Sequence, residues 1–244
     1  MGWNASLIII ENKHGFSDEA VLLRILGKGE YALYSDEEVL DDALAPFDAS
    51  IHIGYYNDTI IICDDYQAID EFISPEITPM AAALSALFPD AEILAVTCVS
   101  YDNTHGYALI KNGELLRAKC LNCEDIYFDV GEWLDEEKEI YADAELENDA
   151  YIWRYTYNNE KVELSEDCLM EEFCFGVAER LLGVRPDLDG GEELLTETPF
   201  KRYWSESAKE QAERERAKYR DGKAIDLDLE DLIEDEENLD KRRS

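Results

Sequence analysis

The stretch HGYALIKNGELLRAKCLNC, residues 105–123, decides how the middle of this chain folds. It places Asn112 and Gly113 between two runs that have the composition of β-strands. Asn-Gly is typical of a type I′ hairpin turn, because both central residues of that turn need positive φ. The sequence therefore predicts a β-hairpin closed by a two-residue loop.

A two-residue loop fixes which residues of the two strands face each other. The predicted partners are Lys111 and Glu114, Leu109 and Leu116, Tyr107 and Ala118, and His105 and Cys120. This face is apolar in its middle and polar towards the turn, which is typical of a face that packs on a core. Arg117 and Lys119 are then predicted on the opposite face.

The same pairing would bring three potential ligands together, because Cys123 lies just beyond His105 and Cys120. A catalytic zinc site can begin with such a trio, but a structural zinc site needs a fourth ligand, and no second Cys-x-x-C or His-x3-His supplies one. A redox Cys-x-x-C stands where a strand meets a helix, whereas the following residues, EDIYFDV, favour a strand. We therefore expect a hairpin with incidental thiols, and neither a metal nor another cofactor.

Acidic residues that end apolar strands offer a second candidate site. Glu11 follows the run SLIII, and Asp64 and Asp65 follow TIIIC. Carboxylates at neighbouring strand ends can bind Mg²⁺ and support hydrolytic phosphoryl transfer. Such placements also arise by chance in a chain with 58 acidic residues. The motifs of nucleotide-binding loops, dinucleotide-binding folds, serine hydrolases and zinc proteases are absent from the sequence.

The charge of the chain restricts its partners. Its 58 acidic and 22 basic residues give a net charge of −36, and the residues from Ser205 onward contribute only −5 of it, which leaves −31 for residues 1–204. Such a surface repels the phosphates of nucleic acids and anionic lipid headgroups, and it attracts basic proteins. We expect a basic protein partner and neither nucleic acid nor membrane binding, although acidity can also serve solubility alone.

The sequence favours a cytoplasmic location. No basic residue precedes the short apolar run near the first residue, whereas a signal peptide needs a basic region and a longer apolar one. No stretch approaches the roughly 18 apolar residues of a membrane span. The six cysteines are expected to be reduced thiols, as is usual in that compartment.

The alternation of apolar segments predicts an α+β fold with a largely antiparallel sheet, possible mixed pairings and packed helices. The flat apolar run ASLIII suits a strand that is covered on both faces, and residues 166–183 have the four-residue apolar spacing of a helix. In YIWRYTY, residues 151–157, the aromatic side chains alternate, which favours a packing face over one that stacks bases or sugars. A single globular domain is expected over residues 1–204.

Residues 205–244 are predicted to form a charged helical tail. Within AIDLDLEDLIEDEENLD, Leu229, Leu232 and Ile233 are spaced i, i+3 and i+4, so they share one helical face. This face would suit an apolar groove rimmed by basic residues on a partner. The alternative is a solvated acidic segment, because blocks of like charge are usually disordered.

Three motifs give the chain a resemblance to a known family: MGWNASLIIIE, residues 1–11; IHIGYYNDTIIICDD, residues 51–65; and VSYDNTHGYALIKNGELLRAKCLNCEDIYFDVGEWLDEE, residues 99–137. The order of these pieces resembles an uncharacterised bacterial family, a domain of unknown function common in actinobacteria. The resemblance covers about residues 1–190. It implies a mixed α/β fold, and it brings no known activity or functional residues.

Two functions remain open on the sequence alone. The favoured one is a non-enzymatic acidic interaction module, in concrete form an immunity-type inhibitor of a basic protein. The alternative is a carboxylate-metal-dependent hydrolase or a Cys/His-based enzyme. Convergence of Glu11, Asp64 and Asp65, or of His105, Cys120 and Cys123, would favour the enzyme.

Overall fold

Two antiparallel sheets organise the chain. The computed structural model describes residues 2–46, 48–148, 150–157, 160–210 and 214. The strands are β1 (Asn4–Glu11), β2 (Ala32–Val39), β3 (Ile51–Tyr56), β4 (Thr59–Asp64), β5 (Glu92–Val99), β6 (Thr104–Lys111), β7 (Glu114–Leu121), β8 (Ile126–Gly131), β9 (Ala144–Glu147), β10 (Ala150–Tyr157), β11 (Glu160–Ser165) and β12 (Pro199–Trp204).

The larger sheet has the strand order β2-β12-β3-β4-β1-β5-β6-β7-β8, and the smaller has the order β11-β10-β9. The helices are α1 (Glu19–Ile25), α2 (Leu40–Ala43), α3 (Gln67–Phe72), α4 (Pro79–Leu87), α5 (Asp135–Tyr141), α6 (Met170–Leu182) and α7 (Glu192–Glu197). The predicted α+β class is confirmed. No helix among the described residues is long and apolar enough to cross a bilayer.

The strand β1 lies at the centre of the larger sheet, between β4 and β5. Its alternate residues Leu7 and Ile9 belong to the core cluster that includes α6, while Ile8 and Ile10 are buried on the other face. The helix α3 contacts β1, β4 and β5 there. Helices therefore cover both faces of this strand, which explains why its sequence is apolar without alternation.

The helix α6 begins after a 3-10 turn at Glu166–Leu169 and ends at Gly183, whose φ of 73° closes the helix in the left-handed region. Phe173 and Val177 are buried against the sheet, as the four-residue spacing predicts. The chain divides after Ser205 into two units, of which the first contains both sheets. In the second, Arg214 donates to Glu210 at 2.8 Å.

The predicted hairpin is present, but its predicted register is wrong. Asn112 and Gly113 have φ of 53° and 77°, as a type I′ turn requires. Lys111 pairs with Glu114 as predicted, but a β-bulge follows at Leu116. A bulge inserts one unpaired residue into a strand, so it turns every later side chain to the other face.

Beyond the bulge, His105 pairs with Leu121, and Cys120 pairs with Gly106. His105 and Cys120 therefore occupy adjacent positions of the ladder and point to opposite faces of the sheet. The predicted pair of Leu109 and Leu116 is also absent, because Leu109 pairs with Arg117.

A glycine of the neighbouring strand makes room for the bulge. Gly131 in β8 pairs with Arg117 and has a φ of 88°. A Cβ atom at Gly131 would lie 2.1 Å from the carbonyl oxygen of Leu116, far inside van der Waals contact. The bulge in β7 therefore requires a residue without a side chain in β8.

Gly131→Ala should cost about 3 kcal/mol of the free energy of unfolding, since the strain of positive φ adds to the steric overlap. Gly113→Ala is the matched control, because Gly113 also has positive φ but meets no atom within 4 Å. We expect it to cost only about 1 kcal/mol. Urea unfolding of the two variants checks this, and equal losses would contradict the role of Gly131.

An ion cluster attaches α6 to the larger sheet. The carboxylate of Glu92 in β5 accepts from Arg180 Nε at 2.7 Å and from Lys111 Nζ at 2.9 Å. The Arg180 hydrogen bond, against the effect of burial and together with Lys111, lowers the pKa of Glu92 to about 2. The carboxylate therefore stays charged in the folded protein well below the pH at which an unfolded glutamate takes up a proton.

Because the pKa of Glu92 is lower in the folded state, its contribution to stability is full above about pH 4.5 and is lost as the pH falls towards 2. We expect the melting temperatures of the wild type and Glu92→Gln to differ above pH 5 and to converge below pH 3. Glu114→Gln, at an exposed position beside the hairpin turn, is the control. A difference for Glu92→Gln that stays constant from pH 6 to pH 2.5 would contradict the assignment.

Candidate functional site

The bulge turns two cationic side chains into the interior. Arg117 and Lys119, predicted on the opposite face from Tyr107, pair with Leu109 and Tyr107 and share their face. Both cations are fully buried, with 0% of each residue exposed. That prediction from the two-residue loop was wrong, because the loop fixes the register only up to the bulge.

The guanidinium of Arg117 is held by two carboxylates. Its Nη2 donates to Glu137 Oε1 at 2.8 Å, its Nε donates to both oxygens of Glu137, and its Nη1 donates to Asp129. Glu137 lies in α5, is itself 0% exposed, and also accepts from the hydroxyl of Tyr107 at 2.6 Å and from the backbone N–H of Leu134 at 2.8 Å. This buried charge is therefore compensated by close, directional partners, as burial requires.

The ammonium of Lys119 is surrounded by three acceptors, one for each of its N–H donors. They are Asp129 at 3.2 Å, Tyr141 at 2.6 Å, and Glu166. The Tyr141 hydroxyl in turn donates to Glu166. Burial, and then this carboxylate, raise the pKa of Tyr141, so the phenol stays protonated. All three donors of Lys119 are engaged and its side chain is fully buried, so we assign the group a structural role.

These five charged residues form what we call the buried ion network: Arg117, Lys119, Asp129, Glu137 and Glu166. It joins β7 and β8 to α5 and to the turn before α6. Burial tends to raise the pKa of Asp129, but its hydrogen bond with Arg117 and the charge of Lys119 outweigh this and hold the pKa below its usual range. Two cations face three carboxylates, which leaves one negative charge in excess.

The network borders an open cleft of about 370 Å³, which we call the β8 cleft. Asp129, Glu166 and Tyr141 belong both to the wall of the cleft and to the contacts of the ion network. The other lining residues are Leu121, Asn122, Cys123, Glu124, Asp125, Ile126, Trp133, Ala150, Tyr151, Ser165 and Asp167. Five of the lining residues are carboxylates, and no basic residue is among them.

Three aromatic rings form one wall of the β8 cleft. Trp133 stacks on Tyr141 with ring centres 4.1 Å apart, and Tyr151 meets the edge of Trp133 at 5.6 Å. Further along β10, Trp153 is fully buried, while Tyr155 is 44% exposed. The alternating aromatic side chains of β10 therefore pack on the core in the first half of the strand, and Tyr155 is exposed in the second half.

A second acidic opening lies between α5, α6 and β10, and we call it the α5–α6 groove. It has a volume of about 530 Å³ and is lined by Glu136, Glu139, Ile140, Asp143, Trp153, Tyr155, Leu169, Glu172, Gly176, Glu179 and Arg185. Arg185 is already paired with Glu172 at 2.8 Å and with Asp187 at 2.5 Å. The groove therefore combines apolar and aromatic side chains with a strongly acidic rim.

The structure separates the candidate cysteine and histidine ligands. His105 is buried, with Nε2 at 3.1 Å from Asn103 Oδ1, and burial lowers its pKa. Cys120 points to the other face, and burial raises its pKa to about 12, which keeps it a thiol. Cys123 is exposed in the β7–β8 turn. Within the described ranges, no three His, Cys, Asp or Glu side chains are gathered as metal ligands would be.

The candidate carboxylates do not converge either. The strands β1 and β4 are antiparallel, with Glu11 beside Thr59. The last residue of β1 therefore lies next to the first residue of β4, a full strand length from the last residue of β4. Asp64 accepts from Ser6 Oγ at 2.7 Å at the start of β1, far from Glu11. Asp65 adjoins Asp64, and burial, followed by that neighbour, raises its pKa to about 6.

One arrangement that the sequence did not indicate has the atoms of a nucleophilic triad. Ser50 Oγ lies 2.9 Å from His52 Nε2, and His52 Nδ1 lies 3.0 Å from Glu38 Oε2. Ser50 is fully buried, however, and its hydroxyl also donates to Asp48. Burial, and then a nearby arginine, lower the pKa of His52 to about 4, which makes it a weak base. A substrate has no access to this serine.

The sequence-predicted docking residues Leu229, Leu232 and Ile233 lie outside the described residues. Their role stays a prediction.

Lys119→Met should lower the free energy of unfolding by about 3–5 kcal/mol, because it leaves two carboxylates of the network without their shared cation. Lys138→Met is the matched control, since Lys138 forms an exposed pair with Asp135 and exposed pairs contribute little. We expect the control to leave the urea midpoint nearly unchanged. A comparable shift in both variants would show that the buried ion network is not a structural clamp.

A comparison with protein-family models matches residues 19–189 to a family of unknown function, DUF6928. The matched segment begins after β1 and ends before β12. It contains all the residues that line the β8 cleft and the α5–α6 groove. No curated protein and no solved structure matches the chain. The resemblance inferred from the three motifs is thus confirmed at the level of an uncharacterised family, and the chain belongs to the family of unknown function DUF6928.

Proposed function

We propose that this protein is a non-enzymatic binding module that captures a basic protein partner. The observation that carries the proposal is the pair of acidic openings along β10, each of which joins carboxylates to aromatic surface. Recognition surfaces commonly combine aromatic contacts with charge that complements the partner.

The rim of the α5–α6 groove carries carboxylates that have no ion-pair partner among the described residues. Glu139, Asp143 and Glu179 form no ion pair with a basic residue in the part of the chain that the structure describes. A net charge of −36 adds a long-range field of the same sign. Such a field accelerates encounter with a basic protein, and the acceleration falls as salt screens the charges.

The floor of the groove supplies the short-range part of the interaction. Ile140 and Leu169 are partly buried against the core, and Tyr155 is exposed. Apolar contact gives affinity that salt does not screen, whereas the acidic rim gives orientation and speed. A basic segment with apolar side chains between its cations fits this combination.

An immunity-type inhibitor of a basic toxin is the concrete form of the proposal. An acidic inhibitor of this kind neutralises a basic enzyme by occupying the surface that binds the enzyme's own anionic substrate. The alternatives of a carboxylate-metal hydrolase and a Cys/His enzyme are less well supported, because their candidate residues lie apart.

The proposal is tested with a fluorescent arginine-rich peptide of about ten residues as the probe. The triple variant Glu139→Gln/Asp143→Asn/Glu179→Gln should bind it at least about tenfold more weakly than the wild type, because three rim charges are lost. The control Glu30→Gln/Glu76→Gln/Glu114→Gln removes the same charge from exposed positions outside the groove. It should bind within about twofold of the wild type.

The wild-type affinity should also fall as salt rises from 50 to 300 mM. Equal weakening in the two triple variants would show that net charge alone attracts the peptide. That outcome would contradict a binding site in the α5–α6 groove.

A further inference from the structure

We infer that the β8 cleft receives the guanidinium group of a single arginine side chain from the basic partner. The inference rests on the proposed function, because it names the chemistry that the acidic surface would select. The cleft would make a specific contact with one side chain. This contact would add to the non-specific attraction between the acidic protein and any basic partner.

The β8 cleft is lined by negative charge. The buried ion network has one more carboxylate than it has cations, and its solvent-accessible side borders the β8 cleft. Glu166 gives one oxygen, Oε1, to Lys119 and Tyr141, and within the described residues no hydrogen bond reaches its second oxygen. Glu124 and Asp125 at the mouth, in the β7–β8 turn, add two exposed carboxylates. The cleft therefore complements a cation.

The β8 cleft suits an organic cation better than a metal ion. Divalent cations need several oxygen ligands at short distance, but the carboxylates around the cleft are not gathered into such a set among the described residues. They are spread around an opening of about 370 Å³. That space suits an organic cation that is long enough to reach separate carboxylates.

The aromatic wall of the β8 cleft favours a guanidinium over an ammonium group. The rings of Trp133 and Tyr151 line the cleft beside the carboxylates. A guanidinium is flat, weakly hydrated and able to stack on an aromatic ring while it donates in its plane to a carboxylate. An ammonium is a compact and strongly hydrated charge, so it gains less from an aromatic wall.

The side chains that line the β8 cleft are held in position by their neighbours. Lys119 already saturates its three donors behind the wall of the cleft, so the site is held in place before a ligand arrives. Glu166 is fixed by Lys119 and Tyr141, and Tyr141 is fixed by its stack on Trp133. Groups that are fixed in advance lose little freedom on binding, which favours affinity and discrimination.

The test compares two peptides of equal charge, one with arginine and one with lysine at every basic position. Wild-type protein should bind the arginine peptide about tenfold more tightly, as expected for stacking and bidentate pairing. In Glu124→Gln/Asp125→Asn, at the mouth of the cleft, the ratio of the two affinities should fall to about two or less. In the control Glu139→Gln/Asp143→Asn, both affinities should fall and the ratio should remain near ten.

Failure of this inference is distinct from failure of the proposed function. Equal binding of the two peptides to the wild type, or an arginine preference that survives Glu124→Gln/Asp125→Asn, overturns the guanidinium site while basic-partner binding stands. Binding of neither peptide overturns both. Competition by N-acetylarginine amide shows whether the guanidinium belongs to a protein or to a small molecule. Weak competition, in the millimolar range, supports an arginine of a partner protein. Binding as tight as that of the peptide overturns the inference in favour of a small guanidine ligand.

Discussion

The single unpaired residue at Leu116 is the constraint on which the interior of this half of the molecule depends. Because of the β-bulge there, Arg117 and Lys119 face α5 and not solvent. Two buried cations then require carboxylates, and Glu137, Asp129 and Glu166 provide them from three separate segments. The position of α5, the β7–β8 ribbon and the start of α6 are therefore linked by charge, in a region where apolar packing would otherwise suffice.

The excess of negative charge has two different origins in this protein. Most of it is surface charge, which acts through its long-range field and is sensitive to salt. The excess at the buried ion network is different, because it is fixed in position, shielded on one side by the core and open on the other through the β8 cleft. Charge of this second kind is what the proposed guanidinium site requires, because its position is fixed before a ligand binds.

Much of the fold could be predicted from the sequence. The apolar run of β1, the spacing in α6 and the Asn112–Gly113 turn are local signals, and each corresponds to the element that it predicts. The bulge is not local, because the space for it comes from Gly131 in the next strand. The candidate carboxylates failed for a related reason: Glu11 and Asp64 do end strands, but the sequence of each strand does not contain the direction of its neighbour. A glycine at the end of one strand, Gly131, after a strand in which two cations flank Ala118, was the signal that could have revealed the buried network.

The bulge also gives the length of β7 an inherited significance. Loops usually tolerate the gain or loss of a codon, whereas strands tolerate substitution more readily than a change in length. β7 is an exception, because the loss of the one codon for Leu116 would leave the turn intact, restore regular pairing and keep Arg117 opposite Leu109, with both cations still inside. A chain of this fold with β7 one residue shorter is thus expected to lack the bulge, and its residue at position 131 would no longer meet the carbonyl oxygen of Leu116.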